Sequence, residues 1–240
     1  MGRGTDRLVG VKFGFYSAFL GAFGMYARQK QRTTRKLMPI IVLATTNQGK
    51  VREFQALLAQ HPAFAHCTLT TLDELGIDVP PIEETGVTFA ENAALKASAV
   101  AGATGCPALA DDSGLCVDAL GGAPGLHSAR WAGLDADDAA RTALLLARLA
   151  TVPAEQCTAR FVCALALARP DGQTLTAEGF CEGVITNQPQ GANGFGYDPI
   201  FLLPTLGRTM AQLSSAEKNA RSHRAQAAAC LAALLQNFLR

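Results

Sequence analysis

Almost no net charge separates the 21 basic from the 20 acidic residues of this 240-residue chain, a formal balance of +1. That lack excludes a global field for a nucleic-acid backbone, so any anionic partner must be recognised locally. Cysteine occurs seven times, an odd number, but without a CxxC or a Cys/His ligand spacing, which argues against a zinc site. The thiols read as buried and free, in a reducing compartment, rather than as disulfides. Repeats and polar tracts are also lacking. With 49% hydrophobic and 17% charged residues, the chain is expected to fold, as one large domain or two small ones.

Residues 1–38 differ from the rest. Arg3, Arg7 and Lys12 precede or enter an apolar run over residues 8–26, and Arg28, Lys30, Arg32, Arg35 and Lys36 follow it. Lys12 and four glycines interrupt the run, and no small-residue cleavage site follows. A targeting segment, a weak membrane contact and a disordered or dispensable extension all fit. Met38 stands directly before the strand-like Pro39-Ile40-Ile41-Val42-Leu43-Ala44, so residues 39–240 are read as the functional domain.

From Pro39 onward, strand and helix patterns mix. Residues 40–44 form an apolar run suited to a strand buried on both faces. The loop over residues 45–50 then leads into a helix whose apolar face is Val51, Phe54, Leu57 and Leu58. Thr88 and Glu91 match a capping box that opens a second helix, and residues 135–149 read as a third. Strands are expected at residues 161–168 and 175–185, joined at Asp171-Gly172, with Gly179 and Gly183 marking bends or bulges. A long Ala/Leu helix is expected to run to about residue 239. The order implies a mixed α/β fold with an antiparallel hairpin, not a strictly alternating doubly wound sheet.

Four segments carry candidate chemistry. Asp111 and Asp112 follow a short apolar run and precede Ser113-Gly114, where a strand is expected to end. Adjacent carboxylates there suit a hard divalent cation such as Mg2+; an Asx turn explains the same residues equally well. Thr45, Thr46, Asn47, Gln48, Gly49 and Lys50 present hydroxyls, an amide and a lysine at a helix N-terminus, where an anion is favoured. This is not a Walker A loop, because Val51 follows Lys50. An ordinary capped helix is the alternative. Lys96 shares a helix face with Asn92 and offers a second phosphate contact or a solvated charge. The stretch with Gly191, Gly194, Phe195, Gly196, Tyr197 and Asp198 offers flat faces for a planar base, or a structured turn over a core edge. Finally, Lys218, Arg221, His223 and Arg224 make a local basic cluster, which also fits a solvated helix face.

Taken together, LATTNQGKVREF, EETGVTFAENAALKA, ALADDSGLCVDALGGAPGLHSARWAG, GFGYDPIF and EKNARSHRAQA resemble, in order, the motifs of the inosine triphosphate pyrophosphatase family. The resemblance covers about residues 40–235. It implies an elongated α/β fold with a mixed sheet, flanking helices and two lobes around a nucleotide-binding cleft, and a cytoplasmic homodimer without membrane or nucleic-acid partners. It further implies that Thr45 to Lys50 and Ser113 contact the nucleotide, that Glu83 and Asp112 hold Mg2+, and that Asp112 accepts the proton of the attacking water. Phe195, Gly196, Tyr197, Asp198, Lys218, His223 and Arg224 would bind the base. The implied substrates are deaminated purine triphosphates, split to the monophosphate and pyrophosphate. One departure is Thr46, where a glycine is common. Translation from Met38 is expected to give a folded, active protein; a chain starting there that fails to fold or lacks activity would overturn that reading.

Overall fold

In the computed structural model, residues 38–235, 238 and 239 are described. The readings for residues 1–37 lie outside them. A seven-stranded sheet among the described residues has the order β2-β1-β3-β4-β5-β6-β7. Its strands are β1 (Ile40–Leu43), β2 (Thr68–Thr71), β3 (Ala108–Val117), β4 (Thr158–Ala168), β5 (Thr174–Ile185), β6 (Phe201–Leu203) and β7 (Arg208–Thr209). The helices are α1 (Gln48–Gln60), α2 (Leu72–Leu75), α3 (Phe89–Thr104), α4 (Asp138–Leu149), α5 (Ser215–Asn219) and α6 (His223–Leu234). Strand β1 is parallel to both neighbours, and every later pairing is antiparallel. The mixed α/β expectation is met.

Strand β1 is a switch point. The chain leaves it through α1 to β2 on one side and returns through α3 to β3 on the other, which places the two helices on opposite faces of the sheet. Burial follows the two-residue period of a strand. Leu109, Cys163, Leu165 and Leu167 pack with α1 and α6, whereas Ala108, Ala110, Ala164 and Ala166 pack with α3. Small side chains on this second face meet Ala93, Ala97 and Ala101 of α3, so backbone layers approach closely. A third cluster joins Leu115 and Val117 of β3 to Leu145 and Leu149 of α4 and Phe201 of β6.

Several expectations need correction. The strand does not end at the Asp pair: β3 runs on through Ser113 and Gly114, because β4 pairs with it from Ala108 to Val117. Gly179 and Gly183 do not make bulges, since β5 pairs with β4 in unbroken register through both. They are contact points instead. A Cβ on Gly179 would meet the backbone of His223 and Ala227 in α6, and one on Gly183 the Leu202 carbonyl and the Phe201 ring. The last helix is broken, because Ser222 caps a new helix by accepting from the Ala225 amide, and it ends at Leu234. All seven cysteines are free, but only Cys157, Cys163 and Cys181 are buried; Cys230 lies on the solvent side of α6. The capping box at Thr88 and the hairpin at Asp171-Gly172 are as expected.

Replacing Gly179 with alanine is expected to destabilise the fold by about 1–3 kcal/mol, because two backbone layers must separate to admit the methyl group. Urea unfolding checks this, and an unchanged midpoint would show that α6 yields freely.

Candidate active site

Pairing between β1 and β3 stops at Leu43 opposite Leu109, with a last hydrogen bond from the Ala44 amide to the Leu109 carbonyl. Beyond that point β3 continues alone on this side. The crevice opens at the carboxyl end of the parallel strands, the usual ligand position in open α/β sheets. Here the pleat turns Asp111 toward the α1/α6 face and Asp112 toward α3.

On the first face, Asn47 caps α1 by accepting from the Lys50 amide at 3.1 Å, and Thr45 Oγ1 accepts from the Asn47 amide at 3.2 Å. Lys50 Nζ reaches Asp111 Oδ2 at 2.8 Å, and the Ser113 hydroxyl donates to the same oxygen at 2.9 Å. Burial alone would raise the Asp111 carboxyl; the positive charges of Lys50, Arg224 and Lys96 outweigh it and hold the group at about 2. Thr46 on the loop and Gln48 at the first position of α1 are exposed. Gly49 has a packing reason, since a Cβ would stand 2.9 Å from the Phe195 ring.

On the second face, Asp112 Oδ1 accepts from Lys96 Nζ at 3.0 Å and Oδ2 from Asn92 Nδ2 at 3.3 Å. Burial raises its affinity for a proton, an effect that Lys96 opposes only in part. Lys96 also binds Glu84 at 2.9 Å, and Arg130 approaches Glu84 at 3.6 Å. Lys96 is thus a half-buried bridge rather than a solvated charge. Burial lowers its basicity, and Asp112, Asp111 and Glu84 together raise it further, so it is held as the ammonium. Glu83 is not the acid facing Asp112. Exposure alternates along residues 81–86, which leaves Glu83 outside and turns Glu84 inward. Among the described residues Glu83 has no ion-pair partner, so the pairing expected of it falls to Glu84.

The base-binding candidates gather beside the first face. Asp198 accepts from the Phe195 amide at 3.0 Å and from Lys218 Nζ at 2.6 Å. Glu53 of α1 ties Lys218 at 2.7 Å to Arg224 at 2.9 Å. Both cations lie over the Phe195 ring, 4.8 Å and 5.1 Å from its centroid. The break between α5 and α6 matters here: it lets Lys218 and Arg224 converge from different helices. Arg224 Nη2 donates to the Ser113 hydroxyl at 3.1 Å, linking this group to Asp111. The His223 ring stacks on Phe161 with centroids 4.8 Å apart, and its Nδ1 is buried without a hydrogen-bond partner among the described residues. A cavity of about 120 Å3 is lined by Lys50, Ser113, Phe195, Tyr197, His223 and Arg224 among others. The basic cluster is therefore mostly buried, not a solvated face.

Sequence reasoning missed Glu53, Glu84, Arg130, Asp138 and Arg141. Glu53 lies three residues after Lys50, one helical turn on, and this spacing was its only signal. Glu84 was hidden by its neighbour, because which of two adjacent acids turns inward depends on strand-like phase.

Burial, then the charges of Arg224, Lys218 and Lys50, push His223 well below its ordinary value, so the folded imidazole is neutral. A depressed folded value means that the unfolded chain binds the extra proton as pH drops below about 6.5, and stability falls in that direction by at most about 1.4 kcal/mol per pH unit. The melting temperature of wild type is expected to drop more between pH 7.5 and 5.5 than that of His223→Asn; equal drops would refute a neutral buried histidine.

Residues 41–234 match the sequence model of the Ham1 family. The chain is 52% identical over 208 residues to a dITP/XTP pyrophosphatase of Exiguobacterium sibiricum, covering 83% of this chain and 98% of the relative. It is 54% identical over 190 residues to a dITP/XTP pyrophosphatase of Geobacillus kaustophilus, covering 79% and 91%. The HAM1 protein of Coxiella burnetii superposes with a TM-score of 0.73 at 45% identity, over 82% of this chain and 98% of that one. The Staphylococcus aureus Ham1 protein gives 0.72 at 42% identity, over 83% and 99%. The motifs, the switch-point crevice and these matches agree: this chain belongs to the Ham1 family.

Proposed function

We propose that this protein hydrolyses deaminated purine nucleoside triphosphates, dITP/ITP and XTP/dXTP, to the monophosphate and pyrophosphate, and so cleanses the nucleotide pool. The observation that carries this reading is a buried carboxylate, Asp112, with a raised proton affinity and Lys96 beside it, placed on β3 next to Ser113, which lines the aromatic, cationic pocket together with Lys50. Water attacks the α-phosphorus, its proton passes to Asp112, and the bond from that phosphorus to the bridging oxygen breaks as pyrophosphate leaves. A proton affinity moved up from the ordinary carboxylate range brings Asp112 closer to the working pH of a general base. Lys50 and Lys96 neutralise phosphate charge.

Mg2+ fits the acid pair. Among the described residues no cluster of three or more acidic, histidine or cysteine ligands is assembled. Mg2+, however, commonly takes one or two carboxylates and completes its shell with water and phosphate oxygens. Asp112 and Glu84 supply two such groups, and both already converge on one cation, the Lys96 ammonium. When bound there, the ion would polarise phosphate oxygens and offset the charge that builds on them.

Base choice follows from donors. Lys50 and Arg224 line the cavity with cationic N–H donors, and the 6-oxo group of hypoxanthine or xanthine accepts a hydrogen bond where adenine presents an amino group. A base that leaves a buried donor unpaired is disfavoured. The family likeness also supports a homodimer in the cytoplasm, and among the described residues no helix is long and apolar enough to cross a membrane.

Pyrophosphate release is to be measured from dITP, XTP, dGTP and ATP, with Mg2+ and with EDTA. Metal-dependent release confined to dITP and XTP is expected, and none from any nucleotide sinks the reading. In Asp112→Asn, turnover is expected to fall by at least about two orders of magnitude with nucleotide binding retained. Near-normal turnover would remove Asp112 from the catalytic role.

A further inference from the structure

We propose that Asp138 and Arg141, on the first turn of α4, are positioning residues that hold the aromatic wall of the base pocket in place; this rests on the nucleotide reading above. Asp138 Oδ2 accepts from the Gly196 amide at 2.6 Å, and its other oxygen pairs with the Arg141 guanidinium. Arg141 Nη1 donates to the Ala129 carbonyl at 3.0 Å and also to that of Ala136. The loop bearing Phe195 is thereby tied to the turn segment Gly125–Arg130. A second tie runs in parallel, from the Tyr197 hydroxyl to the Ser128 carbonyl at 3.0 Å.

Helix capping does not explain Asp138. The neighbouring Asp137 already caps α4 by accepting from the Ala140 amide at 2.7 Å. The carboxylate of Asp138 is free to turn toward Gly196, whose φ of +63° puts its amide in a left-handed turn. A charge-assisted bond to that amide is about twice as strong as a neutral one. Both side chains line the cavity that Phe195, His223 and Arg224 also line, so the tie acts at the wall of the pocket itself. It also connects pocket and acids: Ala129 precedes Arg130, which reaches Glu84.

Such a tie serves binding of the base rather than bond breaking. The test uses full-length Asp138→Ala, Asp138→Asn and Arg141→Gln, with steady-state kinetics on dITP, amide hydrogen exchange at Gly196 and thermal melting. Asp138→Ala is expected to raise KM about tenfold or more while kcat changes less than about threefold, and to speed Gly196 exchange. Asp138→Asn keeps a neutral acceptor and is expected to recover part of the KM loss; Arg141→Gln, which leaves the Gly196 bond, shows a smaller rise. A KM within about twofold of wild type in Asp138→Ala, or a loss confined to kcat, overturns the proposal. If wild type releases no pyrophosphate from dITP, the functional reading fails by itself. The exchange rate then decides the clamp, and an unchanged rate at Gly196 overturns it. Should Asp138→Ala not fold, the same two readouts on Asp138→Asn and Arg141→Gln decide the matter.

Discussion

Strand β3 continues past the end of β1, and its pleat sends consecutive carboxylates to opposite faces of the sheet. Much of the site depends on that constraint. Asp111 meets Lys50 from α1 and approaches Arg224 from α6, whereas Asp112 meets Asn92 and Lys96 from α3. Because α1 and α3 flank a switch-point strand, they lie on opposite faces, and one dipeptide can address both. A turn at this place would have left both acids on one flexible loop. On a paired strand their separation is held by the β4 ladder.

Buried charge is costly unless paired, so the pocket beside α6 is organised around balance rather than around isolated cations. Lys218 and Arg224 are nearly fully buried, and Glu53, Asp198 and Asp111 surround them. Arg224 keeps its charge against the cost of burial chiefly because Glu53 and Asp111 face it. His223, surrounded by the same cations, takes the other solution and stays neutral. One cluster therefore holds fixed positive charge and a neutral ring side by side, a combination suited to an uncharged base joined to an anionic phosphate chain. Close packing serves the same end. Gly179 admits α6 against β5, and Gly49 admits the Phe195 ring against the start of α1.

Much of the fold was legible in local chemistry. The Thr88 capping box, the Asp171-Gly172 hairpin and the apolar run of β1 rest on short-range rules that tertiary contacts did not override. Apart from the last helix, which the local Ser222 cap interrupts, the readings that failed mostly concerned residues whose environment is supplied from afar. Ser113-Gly114 resembles a turn until β4 pairs with it. Gly183 resembles a bulge until the Phe201 ring is laid against it. Lys96 resembles a solvated lysine until two acids from other segments close on it.

The order of the motifs, with their carboxylates, lysines and glycines, determined the family and the chemistry offered, since residue types and spacing carry that information without any contact. Which acid faces Asp112 was decided only in three dimensions, because the phase of an extended segment turns Glu84 inward and Glu83 out. The same holds for the division of labour between Asp111 and Asp112, set by the pleat, and for Glu53 and Asp138. Their partners lie more than 50 residues away in the chain, at Lys218, Arg224 and Gly196, and no local pattern registers a contact that only the folded sheet brings together.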